Sequence, residues 1–252
     1  MGKIKKFIKT YIPLPALVMY ILAAVSGIIF AVSEFSVGFS DFFNRCIGAF
    51  VRGLHATLTN LIPFSLAEFV IVSIPVWVVT LVVICIKKIK RSVAEGWRFL
   101  AGLAGFAAWM YTAFVMTTAV AYNGSTLAEK LGLERAKVSV DELKATAEYM
   151  RDRMNGELDQ IEFDFGGSSI MPYSVSEMND KLLEAYERIS DEYSFVPRLW
   201  SRVKQVALSE AMTYTHMSGM YTYYTGEANL NINFPDYNLP FTAAHELAHQ
   251  RG

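Results

Sequence analysis

Residues 14–32 read LPALVMYILAAVSGIIFAV, a run of 19 residues without a charged side chain. A helix of this length rises about 28 Å, which is close to the hydrocarbon thickness of a bilayer. A cleaved signal peptide is the alternative, but its apolar core has only about 7–15 residues, so the run favours an uncleaved span. Because lysines precede the run, the positive-inside rule predicts a cytoplasmic N-terminus. These lysines are Lys3, Lys5, Lys6 and Lys9.

Two further apolar runs predict two more spans, at residues 69–86 and 99–121. The basic run KKIKR at 87–91 follows the second span and marks a cytoplasmic loop. Gly102 and Gly105 in the third span predict close packing against the other helices. The third span then leads outwards, so residues 122–252 are expected outside the cytoplasm.

The connection at residues 33–68 is rich in aromatic side chains and carries two cations, Arg45 and Arg52. Its apolar residues recur at roughly helical intervals, which favours an interfacial amphipathic or re-entrant segment over a free loop. His55 has no ligand partner nearby in the sequence and is interpreted as structural. The apolar residues in question are Phe39, Phe42, Phe43, Phe50 and Leu54.

Composition and charge support this division of the chain. Hydrophobic residues make up 53% of the 252 residues and charged residues 19%, which excludes a disordered chain. Two cysteines exclude a disulfide scaffold, and Cys46 and Cys85 would lie on opposite sides of the membrane. Residues 1–98 hold 11 Lys/Arg and 4 Asp/Glu, whereas residues 99–252 hold 12 and 20. The net charge of −1 also argues against nucleic-acid binding.

The polar half reads as a mixture of helices and strands. Ser139-x-x-Glu142 and Ser174-x-x-Glu177 are capping boxes that predict helices to about Met154 and Tyr193. Asn155-Gly156 is expected to end the first helix, whose apolar stripe is Leu143, Ala147 and Met150. Residues 219–224 are β-prone, and residues 228–233 alternate like a strand with one buried face. Pro240 opens a helix over 241–250, and Gly252 is the expected C-terminal cap.

That last helix carries His245-Glu246-Leu247-Ala248-His249. Histidines at i and i+4 project from one face and can bind one tetrahedral Zn²⁺. Glu246 adjoins the first ligand, so its carboxylate can take the proton of a zinc-activated water and pass it to a leaving amine. The motif predicts a zinc hydrolase, and a structural metal or a hydrogen-bonded histidine pair is the alternative.

A catalytic zinc needs a third protein ligand, which the spacing does not identify. Four upstream residues are candidates, and the sequence selects none of them. HExxH followed by xxG at Gly252 begins a metzincin pattern and equally suits a gluzincin, in which a glutamate on a later helix is the third ligand. Either pattern leads us to expect a third ligand beyond Gly252 and a chain that is C-terminally incomplete. The upstream candidates are Glu210, His216, Glu227 and Asp236.

Four short segments together resemble bacterial domain-of-unknown-function family 3810. The resemblance implies N-terminal membrane spans, an extracytoplasmic zincin-like domain, His245 and His249 as zinc ligands, and Glu246 as the catalytic residue. It also implies a third ligand from a Glu-x-Glu-Ala-Asn segment after the HExxH helix, which this chain lacks. The segments are YTGEAN at 224–229, LPFT at 239–242, HELAHQ at 245–250 and PFSL at 63–66.

The sequence as a whole predicts an α-helical membrane region at 1–121 and an α+β zincin-like domain at 122–252. The predicted protein is a multi-pass, membrane-anchored zinc metalloendopeptidase that acts on a peptide or protein substrate outside the cytoplasm. A zinc hydrolase of cell-wall amides and a non-catalytic zinc-binding membrane protein are the alternatives. Tyr221, Tyr223, Tyr224 and His216 lie near the motif in the sequence and could stabilise an oxyanion. Packing explains them at least as well, so none of them is assigned this role.

Overall fold

The computed structural model describes residues 2–134 and 136–252. The helices are α1 Gly2–Tyr11, α2 Leu14–Phe35, α3 Val37–Phe43, α4 Ala49–Asn60, α5 Leu66–Arg91, α6 Val93–Thr117, α7 Leu127–Lys130, α8 Val140–Leu158, α9 Val175–Glu192, α10 Ser209–Tyr214 and α11 Leu239–Arg251. A π-helical turn spans Asn44–Gly48, and 3₁₀ turns span Ala119–Asn123 and Asp236–Asn238. The strands are β1 Glu162–Phe163, β2 Ser169–Ile170, β3 Val203–Gln205, β4 Gly219–Thr222 and β5 Glu227–Leu230.

Three of these helices, α2, α5 and α6, are long and apolar enough to cross a membrane. Helices α2 and α5 contain the first two predicted spans, and α5 extends through the basic run to Arg91. The predicted end of the third span at Ala121 is wrong, because α6 stops at Thr117. Thr118 leaves the helical region at φ −136° and ψ −57°, and a 3₁₀ turn follows. Two adjacent β-branched residues restrict the backbone at this point.

Helices α2 and α6 run parallel and pack closely. The Tyr20 hydroxyl donates to the carbonyl of Ala101 at 2.6 Å. A Cβ on Gly105 would lie 2.7 Å from the Cβ of Ala16, so only glycine allows this approach. The predicted small-residue contact of the third span is therefore confirmed at Gly105. Helix α5 joins α6 through the single residue Ser92 and packs against it as a hairpin.

The segment between the first two long helices is helical, as its apolar spacing predicts. It consists of α3, the π-helical turn and α4, and its side chains divide between two faces. Phe50, Leu54 and Leu58 are exposed on one face of α4. Arg52 and Ala56 are buried on the opposite face, which packs against α11 and β5.

The polar half is built around a three-stranded sheet of order β3-β5-β4. Strand β5 pairs in parallel with β3 and antiparallel with β4. The prediction that this strand has one buried face is wrong, because Asn229 and Asn231 are as fully buried as Ala228 and Leu230. The central strand has the apolar core on one side and hydrogen-bonded polar partners on the other. The core consists of Met178, Val203, Ala228, Leu230, Leu239, Ala243 and Leu247.

Both capping boxes are confirmed, with reciprocal hydrogen bonds at Ser139–Glu142 and Ser174–Glu177. The predicted stop at Asn155-Gly156 is wrong, because α8 continues to Leu158. An exposed glycine costs a helix only about 1 kcal/mol, so it does not by itself end one. The predicted apolar stripe of α8 is also exposed, since no residue of this helix is buried. Cys46 and Cys85 are both free, in agreement with the expected lack of a disulfide.

Candidate metal centre

Helix α11 presents the two motif histidines on its exposed face. Pro240 lies in the first turn, where the missing N–H breaks no hydrogen bond. Gly252 closes the helix in a left-handed conformation at φ +100°, and its N–H donates to the carbonyl of Ala248 at 3.1 Å. His245 and His249 therefore lie one helical turn apart on a helix with both ends defined.

The imidazole rings of His245 and His249 converge. Their Nε2 atoms are 3.1 Å apart, and the ring planes meet at 85°. Two nitrogen ligands of a tetrahedral zinc, each at about 2.0–2.1 Å, lie about 3.3 Å from each other. The pair fits a shared zinc ion with a displacement of only a few tenths of an ångström. A hydrogen bond between the two rings accounts for the same distance, and it requires one of these nitrogens to be protonated.

No third donor joins the pair within residues 2–134 and 136–252, where no group of three His, Cys, Asp or Glu side chains could hold a metal ion. Burial lowers the pKa of His249, and the charge of His245 lowers it further. A lowered pKa favours the neutral imidazole, which is the form that binds a metal ion. The described residues therefore supply two nitrogen donors for a metal ion, from His245 and His249.

Glu246 follows His245 in α11 and is buried against strand β4. Burial raises the pKa of its carboxyl, whereas the charge of His245 and the backbone N–H of Tyr221 act in the opposite direction. A Cβ on Gly219 would lie 2.7 Å from the Cγ of Glu246, so the absence of a side chain at position 219 makes room for it. A carboxylate with a raised pKa is better matched to a general base near neutral pH than an exposed one.

Tyr221 fixes the orientation of the second histidine. Its ring stacks on the imidazole of His249, with centroids 6.0 Å apart and planes at 21°. Its hydroxyl is buried and has no hydrogen-bond partner among the described residues. Burial raises the pKa of Tyr221 to about 12, although the charge of Arg52 lowers it. The phenol is therefore protonated at neutral pH.

Arg52 caps the C-terminal end of α11, the motif helix. Its guanidinium donates to the carbonyls of Gln250 and Arg251, both at 3.0 Å, and to that of Thr117 at 3.0 Å. It also reaches the carbonyl of Asn44 at 3.2 Å. These bonds satisfy carbonyls that a helix end leaves without partners. Burial lowers the pKa of Arg52 to about 10, so the side chain stays charged at neutral pH.

Arg251 and Tyr186 hold the same helix from the side of α9. The Arg251 guanidinium lies 3.8 Å from the ring centroid of Tyr186 and donates to the carbonyl of Leu199 at 3.2 Å. The Tyr186 hydroxyl donates to the carbonyl of Ala244 at 2.7 Å. The helix is therefore held along its length and not only at its end.

Glu227, a candidate third ligand, is occupied by other partners. Its carboxylate accepts from Lys204 Nζ at 2.5 Å and from the backbone N–H groups of Leu66 and Ala67 at 3.1 and 2.7 Å. Both charged side chains are buried. The Ser65 hydroxyl, which caps α5, donates to Asn229 at 2.6 Å. The YTGEAN and PFSL segments thus meet, and Glu227 joins the sheet to α5.

The other three candidate ligands are also not brought together. Asp236 accepts the backbone N–H of Met171 at 2.8 Å, whereas Glu210 and His216 are exposed. His55 packs against the turn at Gly226. A Cβ added to this glycine would lie 2.5 Å from the Cβ of His55. The structure therefore assembles His245, His249 and Glu246 and leaves the upstream candidates elsewhere.

Sequence reasoning missed Tyr221 and Arg52 as parts of this site. Tyr221 was one of several nearby tyrosines, and only the register of β4 against β5 selects it. Arg52 did carry a signal, since a cation in an apolar helical segment needs a partner for its charge. The sequence could not indicate that these partners are the last carbonyls of α11, almost 200 residues away.

The histidine pair opens into a cavity of about 440 Å³. One wall is α11, and the opposite wall is the chain that follows α6, including Thr118 and Tyr122. Phe195 and Val196 complete an aromatic and aliphatic lining. Cavities of this size accommodate several side chains of a ligand.

Comparison with known proteins gives one family. Neither the curated proteins nor the solved structures give a match. The family model described as "Protein of unknown function (DUF3810)" matches residues 43–252, which contain α4 to α11, the cavity and every residue of the candidate metal centre. The match covers well over half of the chain and confirms the resemblance drawn from its motifs, so the chain belongs to family DUF3810.

Proposed function

We propose that this protein is a membrane-anchored zinc metallopeptidase with a zincin-like domain. The observation that carries the proposal is the 3.1 Å approach of the Nε2 atoms of His245 and His249, with the buried carboxyl of Glu246 on the adjacent residue. Such a combination of two converging imidazoles and a buried carboxyl of raised pKa is typical of a hydrolytic metal site.

The roles of the residues follow from their positions. A zinc ion held by His245 and His249 would supply Lewis-acid chemistry, polarising a carbonyl and lowering the pKa of water. Glu246 accepts the proton of the attacking water and returns it to the departing amine. The N–H of Tyr221 holds the carboxylate, and the Tyr221 ring keeps His249 in place.

Metal content tests the first half of this proposal. The full chain, purified in detergent after loading with zinc, is expected to retain about one zinc per molecule by elemental analysis. His245→Ala and His249→Ala should each lose the metal. The control is His216→Asn, since this exposed histidine has φ 58° and asparagine tolerates the left-handed conformation. Zinc retention by both alanine variants would contradict the assignment.

Peptide cleavage tests the second half. Wild-type protein with zinc is expected to cleave members of a randomised peptide pool, and removal of the metal by a chelator should abolish cleavage. New N-termini identified by mass spectrometry would show the bonds that are cut. Absence of any cleavage by zinc-loaded protein would contradict the peptidase assignment.

A second candidate is a membrane protein that binds zinc without catalysis. The absence of a third donor among the described residues favours it, because a catalytic zinc normally has three protein ligands. Stoichiometric zinc without cleavage would favour this second candidate. Loss of zinc-dependent thermal stabilisation in His249→Ala would then be its main signature.

The orientation in the membrane is a further part of the proposal. Lysines before α2 and in the last turns of α5 favour a cytoplasmic location for the N-terminus and for the turn between α5 and α6, and the polar half then lies outside. An enzyme reporter fused after Tyr122 should be active outside the cytoplasm. The same reporter inserted at Ser92, between α5 and α6, should be inactive there, and the reverse pattern would overturn the orientation.

A further inference from the structure

Helix α4 has two faces with different partners. Phe50, Leu54 and Leu58 form a stripe at i, i+4 and i+8 and are 72%, 48% and 55% exposed. Arg52 and Thr59 lie on the other face and are buried. An amphipathic helix whose apolar stripe is exposed while its polar stripe is buried fits a helix lying at a bilayer surface.

The domain that carries the histidine pair packs directly on the buried face of α4. Arg52 bonds the last carbonyls of α11, and Lys204 Nζ donates to the carbonyl of Thr59 at 2.6 Å. Asn60 donates to the carbonyl of Trp200 at 2.9 Å and accepts from Arg202 at 2.8 Å. A single helix, about 10 Å across, thus separates the motif helix from the apolar stripe.

The same domain is also joined to the ends of two long apolar helices. Tyr223 packs edge-on against Phe114 in the last turns of α6, with ring centroids 5.3 Å apart. Glu227 accepts the first N–H groups of α5 and is paired with the buried Lys204. Separating the domain from these helix ends would leave the buried Glu227 without the two N–H donors of α5 and the buried Lys204 without the carbonyls of Thr59 and Phe64, which is costly. The histidine pair is therefore fixed close to where α5 and α6 meet the surface.

The cavity beside the histidines is bounded by the end of α6. His245 and His249 line one side, and Thr117, Thr118 and Tyr122 at the end of α6 line the other. Any chain that reaches the histidines through this cavity passes alongside the end of a predicted span. The wall combines aromatic and aliphatic side chains, such as Tyr122, Phe195 and Val196, with charged ones, Lys130 and Arg251.

We propose that the substrate is the juxtamembrane segment of a polypeptide anchored in the same membrane, on the side where the histidines lie. The proposal rests on the peptidase function above and names its substrate class. Because the site cannot move away from the surface, bonds close to a membrane anchor reach it more readily than bonds farther along the same chain. A free soluble polypeptide lacks the anchor that keeps it beside the cavity.

The test uses the full chain, zinc-loaded, in proteoliposomes together with a pool of single-span substrates. Each substrate carries several identical tandem copies of one short randomised segment, so that the copies differ only in distance from the anchor, by about 3.4 Å per extended residue. The same tails without an anchor are the matched soluble control. Mass spectrometry of the released fragments identifies which copy is cut, and Glu246→Gln gives the background.

The expected result is cleavage concentrated in the copy next to the anchor, at least about tenfold above the soluble tails at equal concentration. Equal cleavage of all copies, or equal rates with and without an anchor, would overturn the juxtamembrane proposal while leaving the peptidase proposal intact. No cleavage of any copy above the Glu246→Gln background would overturn the peptidase proposal, and the substrate proposal with it.

Discussion

Two buried glutamates, Glu227 and Glu246, lie in the same family match and have opposite surroundings. Glu227 accepts a lysine and two backbone N–H groups. Glu246 receives one backbone N–H, from Tyr221, and burial raises its pKa. Near Glu246, the buried Tyr221 hydroxyl also has no hydrogen-bond partner among the described residues.

The difference separates a structural carboxylate from one available for chemistry. A buried carboxylate with all of its partners holds two parts of a protein together. A buried carboxylate with few partners costs stability, and proteins keep such groups mainly where they bind or react. Three variants with matched controls elsewhere in the chain test this contrast, and a fourth prediction concerns the pH dependence of stability.

The largest effect is expected for Glu246→Gln. Loss of the general base should lower the cleavage rate by about 10²–10⁴-fold, while zinc content is retained. Stability should not fall, because the neutral amide removes a carboxyl that burial already disfavours in its charged form. Peptide cleavage and thermal unfolding in detergent measure the two effects. The control is Glu187→Gln on the exposed face of α9, and an equal loss of activity in both would contradict the assignment.

Glu227→Gln should show the opposite pattern and affect stability first. It leaves the Lys204 ammonium buried without its partner, which costs about 3–5 kcal/mol of unfolding free energy. Denaturant titration in detergent measures this loss. Glu184→Gln, which breaks the exposed pair with Arg188, should cost at most about 1 kcal/mol. Similar losses in the two variants would show that the buried Lys204–Glu227 pair contributes no more stability than an exposed pair.

Gly219→Ala tests the close approach of β4 to the motif helix. The added Cβ would meet Glu246 and Thr242 at 2.7 Å, so we expect a loss of about 1–3 kcal/mol together with reduced cleavage. Gly156→Ala is the control, because nothing lies within 4 Å and the residue is helical. That variant should gain about 0.4–1 kcal/mol. Thermal unfolding compares the two, and unchanged stability in Gly219→Ala would show that β4 yields to the new side chain.

The smallest effect concerns pH. Burial lowers the pKa of His55 below its ordinary value, so the unfolded chain binds more protons than the folded one below about pH 6.5. Stability should therefore be full above that pH and decline as the solution is acidified. His249, whose pKa is also lowered, contributes in the same direction. Unfolding at pH 7.5 and 5.5 should show a smaller decline for His55→Gln than for wild type, and identical declines would exclude His55 as a cause.

Much of this architecture is predictable from the sequence because its causes are local. Apolar length predicts the three long helices, and Ser-x-x-Glu predicts where α8 and α9 begin. The i, i+4 spacing also predicts that His245 and His249 share one face. The end of α8 and the two buried faces of β5 were not predicted, because they depend on what packs, or does not pack, against these elements.

The sequence by itself determined the apolar helices, their caps and the pairing of the two motif histidines, since each depends on residues within a few positions of one another. The tertiary structure decided that Glu227 has a full set of hydrogen-bond partners and that Glu246 has a raised pKa. It also decided that Arg52 caps the motif helix and that Tyr221 stacks on His249. These contacts join residues far apart in the chain, and their energies depend on burial and geometry that exist only after folding.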